Sequence, residues 1–507
     1  MHSNLYLSQP VDFMVNSNTR PGIIREGIFE ILVRVIVLVL LGSILISVSS
    51  LGIKVFAGIA IVFIFSGTLL KGDFFSALMQ LFICNHFAFA SYYGGIYNWL
   101  FASSLILFLI VSKRKKVFFK SSFNTIIKWS LAGLIIIQLL SVIGGNDFDT
   151  SKKSIAIFSF LIVASIFYFS SSIKLDDYDY SRFLNVICIF FIYMFIVSLN
   201  QRLLFITSNY PFFPRYDDTT QFELDIIRSR GTFQNYEAYA EYSLSIIALL
   251  LPGVLSGSFK RIDTKLYILC LLTIFLGVFS IVLSGTRSSI LLLPVLIFII
   301  LYNIKKIKTN ILLFIGFLIG LFLIVNSFFQ IVDFGVFSKR SEDMDVKSLS
   351  FSKVLSGEQI NRGFLFSFAT KNIRRNGGLI GGGYFTSPEE YHYVHFGKDL
   401  VEYDDYHNLY LSIIVIWGFI GAFLFLSIIL SLYFKGVRLY RRVKRNSSLP
   451  NDLLLGFNTM FILFLINEFK IQFNRQVSYF MLILILLAIY SCLIKKISQQ
   501  RLDNINN

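Results

Sequence analysis

Residues 266–283 read LYILCLLTIFLGVFSIVL, and SGTRSS follows at once over 284–289. A helix rises about 1.5 Å per residue, so an uncharged run of this length matches the ~30 Å hydrocarbon core of a bilayer. The run is one of many. Working outward with the same ruler gives fourteen apolar spans, near 28–48, 54–70, 74–92, 96–112, 126–143, 155–170, 183–205, 237–255, 266–283, 290–303, 311–327, 409–432, 452–467 and 477–494. The span at 290–303 is short and contains Pro294. Unpaired backbone groups find no partner in lipid, so these segments are expected to be helices and not open strands.

Composition agrees. The 507 residues are 55% hydrophobic, 17% aromatic and 15% charged, with 56 Phe, against about 25% charged residues in an average soluble protein. Surface-to-volume scaling does not let a soluble globule of this size hide so much apolar surface. The +16 net charge does not indicate nucleic acid, because the basic residues are scattered between apolar runs and form no single stripe. Cys84, Cys188, Cys270 and Cys492 lie in or at the ends of apolar segments without a CxxC pattern. They read as small buried hydrophobes.

Lys and Arg in short connections set the orientation. With a cytoplasmic N-terminus the inner connections hold 25 basic residues and the short outer ones 8. The expected architecture is therefore an all-α, polytopic integral membrane protein of about fourteen transmembrane helices. A cytoplasmic segment (1–27) precedes helices 1–11 (28–327), which include an outer loop near 206–235. A large periplasmic loop (328–408) carrying short helices comes next, then helices 12–14 (409–494) and a cytoplasmic tail (495–507). The first apolar run reads as an uncleaved signal anchor. The loop at 328–408 holds 9 Lys/Arg and 11 Asp/Glu, and long ordered loops usually carry function.

Charge inside the spans is scarce, and Arg34, Lys128 and Arg202 lie near span ends, where they can snorkel to the interface. A proton- or ion-coupled transporter would bury ionisable groups at mid-membrane. On the outer face, four segments place Arg or Gly at a helix end. They are Arg228-Ser-Arg230-Gly231-Thr-Phe, Ser284-Gly-Thr-Arg287-Ser-Ser, Asn361-Arg362-Gly363, and Gly377-Gly-Leu-Ile-Gly381-Gly-Gly383, the last followed by Tyr406-His407-Asn408. A lipid-headgroup contact explains Arg230 as well as a site would. The turn at Arg287 resembles an anion nest that opens a helix, where backbone N–H groups and the helix dipole favour negative charge. No strand precedes the glycines at 381–383, which excludes a dinucleotide fingerprint. His392 and His395 lack a third ligand for a metal.

In this order, on one face, these motifs resemble the bacterial O-antigen polymerase and O-antigen ligase superfamily over roughly 225–430. Arg228-Ser-Arg-Gly231-Thr-Phe is similar to its Arg-x-x-Gly-Thr-Phe, and Ser284-Gly-Thr-Arg287 to its Ser-Gly-Ser-Arg turn. Arg362 through Gly383 is similar to its loop helix and Gly-x-Gly turn. His407-Asn408-Leu-Tyr-Leu with Trp417-Gly418-Phe-Ile-Gly421 is similar to the ending of its large loop. Where the family often has Asn-Pro-Asn, this chain has Asn235-Tyr236-Glu237, which leaves the role of that segment open.

The resemblance implies transfer of a saccharide from an undecaprenyl-pyrophosphate carrier to a sugar hydroxyl. Arg287 and Arg228 would stabilise the leaving diphosphate with Arg362, since a planar guanidinium binds phosphate oxygens bidentately. No metal and no cofactor is then required. His407 would be the general base, oriented by Asp404 or Asp405, because a neutral imidazole suits that task. Glu237 and Glu241, at i and i+4 on one helix face, are the rival base or bind sugar hydroxyls. Arg230, Gly381, Gly383 and Asn408 complete the expected substrate site. The expected function is polymerisation of lipid-linked repeat units. The alternatives are ligation of the finished glycan to lipid A-core or protein, and flipping of a lipid-linked oligosaccharide. The partners would be the lipid-linked oligosaccharide, membrane lipid, a chain-length regulator and a flippase, with no nucleic acid.

Overall fold

The computed structural model describes residues 27–47, 50–71, 73–88, 121–144, 150–203, 229–233, 236–304, 369–371, 373–374, 378–382, 392–396, 399–403, 408–443, 448–469 and 477–506. Its helices are α1 (Ile28–Ser47), α2 (Leu51–Leu70), α3 (Phe74–Ala88), α4 (Thr125–Gly144), α5 (Thr150–Ser170), α6 (Asp177–Leu203) and α7 (Tyr236–Ser256). There follow the one-turn α8 (Ser258–Ile262), then α9 (Thr264–Ser284), α10 (Arg287–Asn303), α11 (Leu409–Val443), α12 (Leu449–Asn467) and α13 (Val477–Asn506). Among the described residues, 7 helices are long and apolar enough to cross a membrane, and shorter apolar helices accompany them. The chain is an all-α polytopic membrane protein. The spans expected at 96–112 and 311–327 lie outside the described residues, and every other expected span coincides with a helix.

Two helices run well past the C-terminal ends of their apolar segments. α11 continues past residue 432 to Val443, and α13 continues through the expected tail to Asn506. Propensity and i,i+4 pairing sustain a helix after its apolar face ends. In the large loop, where short helices were expected, residues 369–371 and 373–374 are helical. The loop also holds an antiparallel hairpin, β1 (His392–Phe396) with β2 (Asp399–Tyr403), pairing His392 with Tyr403 and Phe396 with Asp399.

The centre of the bundle is α7, whose span is buried throughout, packed on α12 and α9. Lipid tails are as apolar as Leu, so close packing rather than apolar burial drives helices together in a membrane. Gly456 of α12 serves that end: a Cβ there would lie 2.5 Å from the Leu249 carbonyl oxygen of α7. The outer helices turn large side chains such as Trp129, Phe63 and Phe423 away from the protein, which suits a lipid-facing surface. Cys188, Cys270 and Cys492 are buried and free, with the Cys188 and Cys270 sulfurs 3.8 Å apart.

Away from the candidate site, one charged cluster is enclosed. Arg182 of α6, counted above among the loop charges, is 1% exposed. Its Nη2 donates to Ser76 Oγ at 2.8 Å and lies 3.6 Å from Asp73 Oδ2, and its Nη1 lies 3.7 Å from Asp179 Oδ1. The guanidinium sits 4.9 Å from the centre of the Phe75 ring. Asp176 and Asp179 cap the start of α6 reciprocally, at 3.1 and 2.9 Å. The cluster ties α3 to α6.

Removing the cation would leave Asp73 and Asp179 enclosed without it. Arg182→Met is expected to lower stability by about 3–5 kcal/mol. Adding Asp73→Asn should recover part of the loss. Thermal unfolding in detergent measures both, and an unchanged melting temperature for Arg182→Met would refute this account of the cluster.

Candidate functional site

The first motif is shaped from α6. Gln201 Oε1 accepts from the backbone N–H groups of Arg230 and Gly231, both at 3.0 Å, and its Nε2 donates to the Gly231 carbonyl at 2.8 Å. Gly231 has φ +57°. The Ser229 N–H donates to Leu283 O at 3.1 Å, and its hydroxyl donates to Ser198 O at 2.9 Å. The turn is thereby fixed against the end of α9. Phe233 then packs on Tyr242 and on Tyr479 of α13, with ring centres 5.3 and 5.5 Å away.

The second motif adjoins the first. Gly285 ends α9 with φ +63°, and its N–H donates to Val282 O at 2.9 Å. Thr286 Oγ1 reaches the Tyr236 carbonyl at 3.5 Å, linking the turn to the start of α7. Arg287 is the first residue of α10. The hydroxyls of Ser288 and Ser289, in the same first turn, close no hydrogen bond among the described residues. A helix start with open donors is suited to an anion.

The fourth motif caps α11. Asn408 Oδ1 accepts from Leu411 N–H at 3.0 Å, and its Nδ2 donates to Phe469 O at 3.1 Å. The Leu409 N–H donates to Glu468 O at 3.0 Å, and the Tyr410 hydroxyl to Leu465 O at 2.7 Å. The start of α11 is pinned to the end of α12. Behind it, Glu241 of α7 faces the Glu468 carboxylate, the Asn467 amide and the Tyr479 hydroxyl, with Glu237 nearby. This places the motifs at 229–233, 284–287 and 408–410 at one end of the bundle.

The glycine motif docks on a break in α11. At Gly418 the backbone has φ 66° and ψ −175°. The freed Phe419 N–H donates to Gly378 O at 2.9 Å, Ile420 N–H to Leu379 O at 3.4 Å, and Gly382 N–H to Val415 O at 3.0 Å. A Cβ at Gly418 would lie 2.1 Å from Leu379 O, and one at Gly381 would lie 2.3 Å from the Ile416 carbonyl carbon. Trp417 beside the break is fully buried and donates through Nε1 to Gln138 Oε1 at 2.8 Å.

Residues 272–426 match the family described as O-antigen ligase. The match runs from within α9, across the Arg287 turn and the large loop, to beyond the break at Gly418. This chain carries an O-antigen ligase-family domain. The match covers about a third of the chain and is consistent with the O-antigen polymerase and ligase superfamily. None of the curated proteins compared with the chain matches it.

Of the residues expected at the site, His407, Arg228, Arg362 and Gly383 lie outside the described residues. Arg287, Arg230, Glu237, Glu241 and Asn408 come together at one end of the bundle. Gly381 lies apart from them against α11, and the close approach its lack of a side chain permits is to that helix's backbone. The Asn408 amide is engaged at both its oxygen and its nitrogen in holding α11. Sequence reasoning missed Gln201 and Glu468. Gln201 carried a signal, an amide at the end of an otherwise apolar span. Glu468 carried only its place at the end of another.

The docked turn has little room for a side chain. Gly381→Ala should cost about 1–3 kcal/mol by overpacking on unyielding backbone and loosen the loop from α11. Cleavage of the loop by added protease, which follows the open population, should then rise about tenfold. Gly52→Ala, where nothing lies within 4 Å, is the control. Equal cleavage rates for the two variants would contradict the docking.

Proposed function

We propose that the protein is a glycosyltransferase that polymerises undecaprenyl-pyrophosphate-linked repeat units on the outer face of the plasma membrane. The coarser statement is already in hand: a multi-pass membrane protein with an O-antigen ligase/polymerase-type domain, a family whose substrates are lipid-linked glycans. What supports the finer reading is the convergence of the Arg230–Gly231 turn, the Arg287 helix start and the Asn408 cap at one end of the bundle. The basic residues of the short connections support an orientation in which this end, with the loop at 328–408, faces outward.

In this reading, negative charge grows on the diphosphate as the anomeric C–O bond breaks. Arg287, Arg228 and Arg362 meet that charge, and removal of one such donor typically costs about 10²–10³ in rate. His407 takes the proton of the acceptor hydroxyl. Asn408 acts by fixing the backbone beside His407. Glu237 and Arg230 line the approach of the sugar. The catalytic groups are side chains, so the reaction should proceed in EDTA. A chain-length regulator and a flippase are the protein partners of a polymerase.

A second reading, ligation of the finished glycan to lipid A-core or protein, is favoured by the description of the matched family itself. The surface glycan of a deletion strain separates the two. A single repeat on the acceptor lipid indicates a polymerase, and bare acceptor with accumulated lipid-linked polymer indicates a ligase. An unchanged profile would refute both. In membranes with lipid-linked donor, Arg287→Lys should lose most of the activity, because a point charge does not replace a planar fork, and Arg230→Lys should lose less. His407→Ala should abolish turnover while leaving donor affinity nearly unchanged. Full activity of His407→Ala at matched protein level would remove it from the mechanism.

A further inference from the structure

The glycine turn that docks on α11 carries side chains that the transfer scheme leaves unused. Residues 378–382 read Gly-Leu-Ile-Gly-Gly, a stretch without a polar side chain inside a loop that holds 9 Lys/Arg and 11 Asp/Glu. Leu379 is 62% exposed, and Ile380 is exposed beside it. Phe419, Ile420 and Phe423 of α11 are exposed as well, Phe423 at 70%. The Leu379 carbonyl receives the Ile420 N–H, and a Cβ on Gly378 would lie 3.7 Å from the Phe419 ring. The apolar side chains of the turn thus adjoin those of the helix.

Depth decides what covers this surface. From Leu409 to Lys435, α11 has no charged residue. Gly418 precedes Lys435 by about 25 Å of helix, less than the ~30 Å hydrocarbon thickness. With the Lys435 ammonium at one membrane surface, the break and the turn docked on it lie inside the core, near its other edge. The loop reaches that level along α11. Ala369 packs against Leu411 and Val415, and farther on Gly378 meets Phe419. Non-helical backbone is tolerated at such depth only where protein supplies its partners. The carbonyls of Gly378 and Leu379 and the N–H of Gly382 have theirs in α11. In water, five large apolar side chains side by side would form an unfavourable patch.

We infer that residues 378–382 form a re-entrant turn of the large loop, with Leu379 and Ile380 lying among the phospholipid acyl chains of the leaflet that receives the start of α11. The partner is bulk lipid. The surface is continuous with the lipid-facing side of α11, and its side chains carry no group that would select one molecule. The loop is held twice, by backbone hydrogen bonds to the broken helix and by apolar contact with the bilayer. The inference is independent of the transfer reading, since it uses only depth, exposure and backbone pairing.

The test uses the full-length protein in native membranes. A diazirine-bearing amino acid in place of Leu379 is irradiated, and its adducts are read by mass spectrometry. Phospholipid adducts are expected, as with the same probe in place of Phe423. In place of Asp503, exposed near the end of α13, the probe should add water instead. Leu379→Asp puts a carboxylate where lipid does not solvate it, and should raise protease cleavage of the loop about tenfold. Leu379→Phe, apolar and directed into lipid, should leave cleavage at the wild-type rate. Water addition at 379, or wild-type cleavage of Leu379→Asp, would overturn the re-entrant turn. Crosslinks to a second copy or to another protein, or adducts confined to an isoprenoid lipid, would overturn the assignment to bulk lipid.

Discussion

Inside a bilayer a backbone N–H released from a helix must find a protein acceptor, because lipid offers none. The break at Gly418 releases such groups, and the carbonyls of Gly378 and Leu379 receive Phe419 and Ile420. The large loop is attached at that point. Its glycines let two backbones meet at distances that a methyl group would prevent. Trp417, held by Gln138 and packed among Phe160, Phe425 and Phe480, keeps the broken helix in place from its other side.

The same rule governs the first motif. A turn near the membrane surface needs partners for its amides, and a single glutamine side chain provides three hydrogen bonds to it. The Arg230–Gly231 turn is therefore part of α6 mechanically, although almost thirty residues of sequence separate them. Its neighbour at Ser284–Arg287 is part of α9 and α10. Contact between Ser229 and Leu283 makes the two turns one surface.

Charge is handled differently at two places in the bundle. Around Arg182 a cation meets two carboxylates and donates to a serine hydroxyl, and the cluster holds helices together. Around Glu241 two carboxyl groups meet the Asn467 amide and the Tyr479 hydroxyl.

Length and hydropathy of the apolar runs determined the membrane class and the helix positions, because the bilayer thickness and the backbone's need for internal partners leave few alternatives. The order of the Arg, Gly and His-Asn motifs pointed to the family, since short motifs at helix ends survive as local sequence. Contacts between distant segments were not legible. That Gln201 holds Gly231, that Gly381 fills a gap beside Ile416, and that Glu468 meets Glu241 and the start of α11 all depend on how helices far apart in the chain pack. Asn408 shows the same division at one residue. Its sequence position marks a helix start, but only the packed end of α12 decides that its amide nitrogen is committed to the Phe469 carbonyl. Local pattern sets which segments are helices, and the side-chain partners across the bundle exist only once those helices have packed.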